Sequence, residues 1–297
     1  MRNLIWIVAI LLAACSTPVA PTATPTTVPP TVTPIAPTIV PTTAAPKTLI
    51  VAHRGGAALA PENTLGAFEN AIKLGVDQVE CDVHLSKDGE LVVMHDPVVS
   101  RTTNGTGEIP DLTLAEIKKL NAAAKFPGGF PAQTVPTLGE LLDLSKGKTD
   151  IQIEIKTMAT GARYPGIEKK VIDAVAARGM INNVIIISFD FPTLKEIKTL
   201  EPRLKTGALV NAGWMSSRML APPEKLVADA LDATGADYFM PPFGSVFPEL
   251  VQAVRARGIK IGTWTVNSAS EMKRLADLGV DAITSDKPDE LKKVLGR

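Results

Sequence analysis

The strongest structural signal in this sequence is an alternation. Short β-branched runs are each followed by a stretch with helical spacing: Leu49–Ala52 by Leu65–Leu74, 151–155 by 167–178, and Val184–Ser188 by 193–200. The last third keeps the rhythm, with 205–210 before 224–234, Tyr238–Met240 before 248–257, 259–266 before Ala269–Leu278, and 282–284 before 288–295. Strands joined through helices run parallel, because a crossover returns the chain to the same end of the sheet. The segment is about 250 residues long, the usual size of an eight-stranded barrel. A doubly wound sheet would want a glycine-rich phosphate loop after its first strand. Ala52-His53-Arg54-Gly55-Gly56 lacks that spacing. The expected fold is therefore α/β, a TIM-type (β/α)8 barrel over residues 47–297.

The rhythm breaks once. Residues 78–83 and 91–94 both read as strands, yet only a short segment containing Asp88-Gly89 separates them. That length admits a tight turn and no helix. The candidates then number about nine for eight barrel positions, and one of the late short runs is expected to lie outside the barrel.

The first 46 residues have a different character. Arg2, an apolar run from Leu4 to Leu12, and Leu12-Ala13-Ala14-Cys15 have the layout of an export signal. The apolar run is short for a bilayer span. Leu-Ala-Ala before a cysteine resembles the lipobox of bacterial lipoproteins, which implies a signal peptide over 1–14 and lipidation of Cys15. Residues 16–46 carry no charge and consist largely of Pro, Thr, Ala and Val, so 15–46 reads as a lipid-anchored linker. The expected location is an exported protein of the bacterial cell envelope, tethered to a membrane surface.

Charge narrows the partners. Thirty-one Lys and Arg balance thirty-one Asp and Glu, which argues against nucleic acid as a partner. No obligate protein partner is evident, and the two cysteines make no disulfide framework.

Ionisable residues gather where the early strands end, as they do at the catalytic face of barrels. His53 and Arg54 follow the first strand, His95-Asp96 follows 91–94, and Glu154 and Lys156 close 151–155. Glu80 and Asp82 are two apart, so strand alternation puts both on one face and Cys81 on the other, where it reads as a buried apolar residue. His84 is left out of the site. Three carboxylates without a thiolate suit a hard divalent cation, Ca²⁺ or Mg²⁺. Arg54 and Lys156 suit phosphate oxygens, and His53 and His95 offer a proton acceptor and a donor. Together these describe phosphodiester cleavage.

Val51-Ala52-His53-Arg54-Gly55-Gly56, Ala60-Pro61-Glu62-Asn63-Thr64, Glu80-Cys81-Asp82-Val83, Val92-Val93-Met94-His95-Asp96, Arg101-Thr102-Thr103-Asn104-Gly105, Pro136-Thr137-Leu138 and Glu154-Ile155-Lys156 resemble, in order and spacing, the glycerophosphodiester phosphodiesterase family. So do Trp264-Thr265-Val266-Asn267 and the run from Gly279 to Asp286. The resemblance implies a barrel that hydrolyses small-molecule glycerophosphodiesters to sn-glycerol 3-phosphate and an alcohol. It implies Glu80, Asp82 and Glu154 as metal ligands, His53 and His95 as the catalytic pair, and Arg54, Lys156 and Glu62 around the substrate. Trp264 reads equally as a wall for the glycerol and as a core residue. Asn63 and Thr64 read equally as helix caps and as substrate contacts. The alternatives are a lysophospholipase D or sphingomyelinase-like activity on lipids, and a surface lipoprotein that binds phosphodiesters without cleaving them. The segment from Ser100 to Lys148 is the expected lid or specificity element.

Overall fold

The computed structural model describes residues 47–297; the signal, Cys15 and linker read from the sequence lie outside the described residues. Nine strands form one sheet: β1 (Leu49–Ala52), β2 (Gln78–Leu85), β3 (Leu91–Val93), β4 (Asp150–Ile155), β5 (Val184–Ser188), β6 (Lys205–Leu209), β7 (Tyr238–Met240), β8 (Lys260–Thr263) and β9 (Ala282–Ser285). Eight of them are parallel neighbours in the order β1-β9-β8-β7-β6-β5-β4-β2, and the β1–β2 pairing closes the ring. The expected barrel is the observed one. Its helices are α1 (Leu65–Leu74), α2 (Leu114–Ile117), α3 (Leu138–Ser145), α4 (Ile167–Ala176), α5 (Phe191–Leu200), α6 (Ala212–Ser216), α7 (Pro223–Thr234), α8 (Pro248–Ala256), α9 (Ala269–Leu278) and α10 (Pro288–Val294).

The strand outside the barrel is β3, not one of the late short runs. Strand β1 pairs with β2 only as far as Ala52↔Val79, so β2 overshoots the mouth. There it turns and pairs antiparallel with β3, from Val83↔Val93 to Leu85↔Leu91. All the late runs are long enough to complete the parallel ring. One consequence concerns His95, which reaches the mouth on a returning hairpin, with the Met94 N–H donating to the Asp82 carbonyl (3.0 Å), and not on the end of a barrel strand.

Strand alternation divides the barrel interior in two. On β2 and β4 the outward residues Val79, Cys81, Val83, Ile151, Ile153 and Ile155 pack against helices, leaving Gln78, Glu80, Asp82, Gln152 and Glu154 inside. On β5 to β7 the inward set is Ile185, Ile187, Leu209, Tyr238 and Met240, with Trp264 against it. Deep in the polar half, the Gln152 amide donates to Gln78 Oε1 (2.7 Å), while Gln152 Oε1 is buried without a donor. Gly207 keeps the apolar half open for Met240, whose sulfur would lie 2.5 Å from a Cβ there. The segment expected to be a lid is folded: its Ile109, Ile117, Ala122 and Val135 join Val92, Met94 and Val99, which precede it, in a small separate core.

The turn after β1 is the tightest part of the frame. Arg54 has φ 51° and Gly55 φ 83°; a Cβ on Gly55 would stand 2.9 Å from Ala67 Cβ and 3.0 Å from Phe68 N. Glycine is needed both for its φ and for the close approach of α1. Gly55→Ala is therefore expected to destabilise the barrel by about 2 kcal/mol or more, read as a lower urea midpoint at unchanged slope.

Candidate active site

Three carboxylates meet at the mouth on its polar side. Glu80 and Asp82 come from β2 and Glu154 from β4, where Asp82 and Glu154 are register partners. One oxygen from each lies within 4.8 Å of the others, and all three residues are buried. Burial and the neighbouring Asp82 charge push the Glu80 carboxyl up to about 8. Burial also raises Glu154. Asp82 goes the other way: burial opposes its charge, but Lys156 and Arg54 bring it down to about 2.

The surrounding groups account for part of this negative charge. Lys156 Nζ donates to Glu154 Oε1 (2.8 Å) and stands 3.4 Å from Asp82 Oδ1. The left-handed backbone at Arg54 aims its N–H at Glu80 Oε2 (2.9 Å), while its side chain donates to Glu62 Oε1 (2.9 Å) and passes 3.6 Å from Asp82 Oδ2. Asn63, the other non-glycine residue at positive φ among the described residues, donates to Asp82 Oδ2 (2.8 Å). Thr64 accepts from Ala67 N (3.2 Å) at the start of α1. The two readings of Asn63-Thr64 thus divide: threonine caps the helix, and asparagine holds a site carboxylate. Asp82 Oδ1 remains buried without a hydrogen-bond donor. An oxygen that accepts no hydrogen bond and meets Lys156 only at 3.4 Å, on a carboxylate grouped with two others, fits an oxygen-seeking cation.

Each site histidine is backed by an aspartate. His53 Nδ1 lies 2.6 Å from Asp286 Oδ1, and the Asn267 amide donates to Asp286 Oδ2 (2.6 Å). His95 Nδ1 lies 2.6 Å from Asp96 Oδ1, and Arg101 donates to Asp96 Oδ2. Such bonds place the proton on Nδ1 and leave Nε2 for chemistry. Burial opposes the charged form of both rings. For His53 the Asp286 bond and Glu80 outweigh it, so its pKa rises; for His95 burial prevails, so its pKa falls.

His84 is a support. Its Nε2 donates to the His95 carbonyl (3.0 Å) and its Nδ1 accepts from the Tyr164 hydroxyl (3.0 Å). Burial lowers its pKa to about 4, so it stays neutral.

The cavity has about 480 Å³ of space, with His53, Arg54, Glu80, His95, Glu154 and Lys156 on one side and Ile187, Phe189, Leu209, Met240 and Trp264 on the other. Trp264 is both wall and core: its Nε1 donates to the Met240 carbonyl (3.0 Å), and its ring meets Phe189 edge to face at 5.3 Å. Glu62 stands apart from the other expected residues. It is held by Arg54 and by Arg101 (Nη1–Oε2 2.9 Å) at the border of a second cavity that also includes Lys125 and Phe126. Asp96, Arg101, Asn267 and Asp286 have no role read from the sequence, and Asn63 takes neither of the two roles expected for it, since it binds Asp82. Only the adjacency of Asp96 to His95 was a local signal, since Asp286 and His53 are 233 positions apart.

Comparison with known proteins gives a consistent set of relatives. Residues 53–290 match the sequence profile of the Glycerophosphoryl diester phosphodiesterase family. The chain is 41% identical to a glycerophosphodiester phosphodiesterase of Caldanaerobacter subterraneus subsp. tengcongensis, over 82% of this chain and 96% of that one. It is 36% identical to one from Bacillus subtilis, over 84% and 86%. Among solved structures, a putative glycerophosphoryl diester phosphodiesterase from Silicibacter pomeroyi superposes with TM-score 0.74 at 28% identity, covering 84% and 92% of the two chains. An Oleispira antarctica phosphodiesterase in complex with the product sn-glycerol-3-phosphate superposes with TM-score 0.66 at 27% identity, over 84% and 97%.

The raised Glu80 pKa has a measurable consequence. A carboxyl titrating near 8 is protonated at pH 7, whereas a cation requires the carboxylate, so binding of Ca²⁺ or Mg²⁺ should release about one proton. Calorimetric binding enthalpy should then change between buffers of different ionisation enthalpy, and affinity should rise with pH up to about 8. Buffer-independent enthalpy would show that no protonated carboxyl of this cluster gives up its proton to the cation.

Proposed function

The chain belongs to the glycerophosphoryl diester phosphodiesterase family and is a phosphodiesterase, and from that premise we propose that it hydrolyses glycerophosphodiesters to sn-glycerol 3-phosphate and an alcohol. Glu80, Asp82 and Glu154 would hold one divalent cation, Ca²⁺ or Mg²⁺. The observation that carries this reading is the meeting of three buried carboxylates with two aspartate-backed imidazoles and two cations around one cavity. The sn-glycerol-3-phosphate recorded in the Oleispira relative supports the choice of product.

Bound there, a divalent cation supplies positive charge to the phosphoryl oxygens. Arg54 and Lys156 border the same space and would draw the diester in and orient it. His53 and His95 would act through Nε2, one taking the proton of the attacking hydroxyl and the other giving one to the leaving alcohol. Asp286 and Asp96 fix the tautomer that this requires. The apolar wall of Ile187, Leu209, Met240 and Trp264 would exclude water behind the glycerol. A protein that only bound phosphodiesters would have no use for two such oriented imidazoles.

The test is single-turnover cleavage of glycerophosphocholine at saturating cation. His53→Ala and His95→Ala are each expected to lower the rate by about 10² to 10⁴, with circular dichroism unchanged. The double variant should lose much less than the product of the two. Near wild-type turnover in either single variant would make that histidine structural.

We also propose, on the sequence alone, that Cys15 carries a lipid and tethers the exported protein to a membrane surface. Cys15→Ser should abolish incorporation of labelled fatty acid. Label still entering that variant would contradict the anchor.

A further inference from the structure

The second cavity, beside Glu62, has about 480 Å³ of space, as much as the active site itself. One ion pair divides the two. Arg54 borders the active-site cavity and Glu62 the second, and Arg54 Nη1 donates to Glu62 Oε1 (2.9 Å) between them. Both oxygens of Glu62 are held, because Arg101 Nη2 also reaches Oε1 (2.6 Å) and its Nη1 reaches Oε2 (2.9 Å). Arg101 donates in turn to Asp96, the aspartate behind His95. The partition therefore belongs to the polar side of the active site, across from the wall of Leu209, Met240 and Trp264.

The far side of the second cavity is built by the segment after β3. Asn121 Oδ1 accepts from Ala123 N (3.0 Å) and from Gln133 N (3.1 Å), and the Ala122 N–H donates to the Gln133 carbonyl (2.7 Å), so the two ends of loop 122–133 are tied together. Nearer its tip, Phe126 meets Phe130 edge to face at 5.8 Å. The braced loop turns Lys125, Phe126 and Pro127 to the cavity, and Thr102 stands beside Arg101. Charge decides what fits there. Glu62 and Asp96 are both spent on arginines, whereas Lys125 has no ion-pair partner among the described residues. A free ammonium near a hydroxyl, facing a carboxylate already shared by two guanidinium groups, favours an anion over a cation.

We propose that the second cavity receives the head group of the diester, the alcohol that leaves, and selects an alcohol that itself carries negative charge. The inference rests on the phosphodiesterase reading and names a substrate class for the same site. With the phosphate at Arg54 and Lys156 and the glycerol along the apolar wall, the head group lies on the polar side, and that side leads over the Arg54–Glu62 pair to Lys125. An anionic oxygen on the head group meets the Lys125 ammonium and the Thr102 hydroxyl, while Phe126 and Pro127 cover its carbon atoms. The reaction is unchanged: one water is added across the phosphorus–oxygen bond to the head group, its hydroxyl going to phosphorus and its proton to the departing alcohol.

The test is the initial rate of sn-glycerol 3-phosphate release by the full chain, at saturating cation, from diesters that differ in head-group charge. In 1,3-bis(sn-glycero-3-phospho)glycerol the leaving alcohol is anionic, in glycerophosphoglycerol it is neutral, and in glycerophosphocholine it is cationic. kcat/KM is expected to fall in that order, by about tenfold or more from first to last, with most of the difference in KM. Lys125→Glu should lower the ratio of the anionic to the cationic substrate by about tenfold or more, and Lys125→Arg should restore it. Lys119→Glu makes the same change of charge at an exposed position of the same segment outside the cavity, and should leave the ratio unchanged. Lys125 is itself exposed, so its replacement does not put folding at risk. Equal kcat/KM for the three diesters, a preference for the cationic one, or a ratio that survives Lys125→Glu or falls as far with Lys119→Glu would overturn the proposal. Release from none of them would overturn the phosphodiesterase reading and this one with it.

Discussion

Like charges buried side by side are the condition to which the rest of this site answers. Three carboxylates occupy the interior face of two adjacent strands, where water cannot screen them. The neighbouring structure supplies what neutralisation it can. Lys156 sits between Glu154 and Asp82, the Arg54 amide reaches Glu80, and Asn63 reaches Asp82. Two non-glycine residues at positive φ and a glycine pressed against α1 are needed to deliver those donors. Backbone strain of this kind persists at sites where the surrounding fold over-determines it. What remains is a raised Glu80 and an Asp82 oxygen with no donor.

The barrel makes such a site possible by dividing its interior. Polar side chains of β2 and β4 face the apolar ones of β5 to β7, so the cavity has one wall for a phosphate and another for carbon. Hairpin β2–β3 serves the polar wall from outside the ring. It returns the chain beside Asp82, and His84 on its first strand holds the His95 carbonyl. One histidine is therefore delivered by a barrel strand and the other by an appendage.

Much of this was legible in the sequence. The β/α rhythm fixed the architecture because crossover length and hydrophobic periodicity are local properties. The pairing of Glu80 with Asp82, and the opposite placing of Cys81, followed from strand alternation alone. Long-range facts were not legible. Nothing local joins Asp286 to His53 or Arg101 to Glu62, since the sheet closure and the small core after β3 create those contacts. Length alone cannot tell a three-residue barrel strand such as β7 from a three-residue hairpin strand such as β3, so the sequence points to the late short runs for the extra strand. Pairing partners decide that, and only the folded chain has them.

If the cluster is built for a cation, its charge should weaken the metal-free barrel and strengthen the loaded one. Glu80→Gln keeps an acceptor for the Arg54 amide and removes an acid that must take up a proton to fold at pH 7. A buried acid whose pKa is raised on folding costs stability above its unfolded value, increasingly up to its folded one, so at pH 7 the substitution removes a penalty. Calorimetric melting of both proteins at pH 7 is the direct measurement. In chelator the glutamine protein is expected to melt higher by several degrees (about 2–4 °C per kcal/mol at this size), and in excess Ca²⁺ or Mg²⁺ the order should reverse. The same order in both conditions would contradict a cation at these carboxylates.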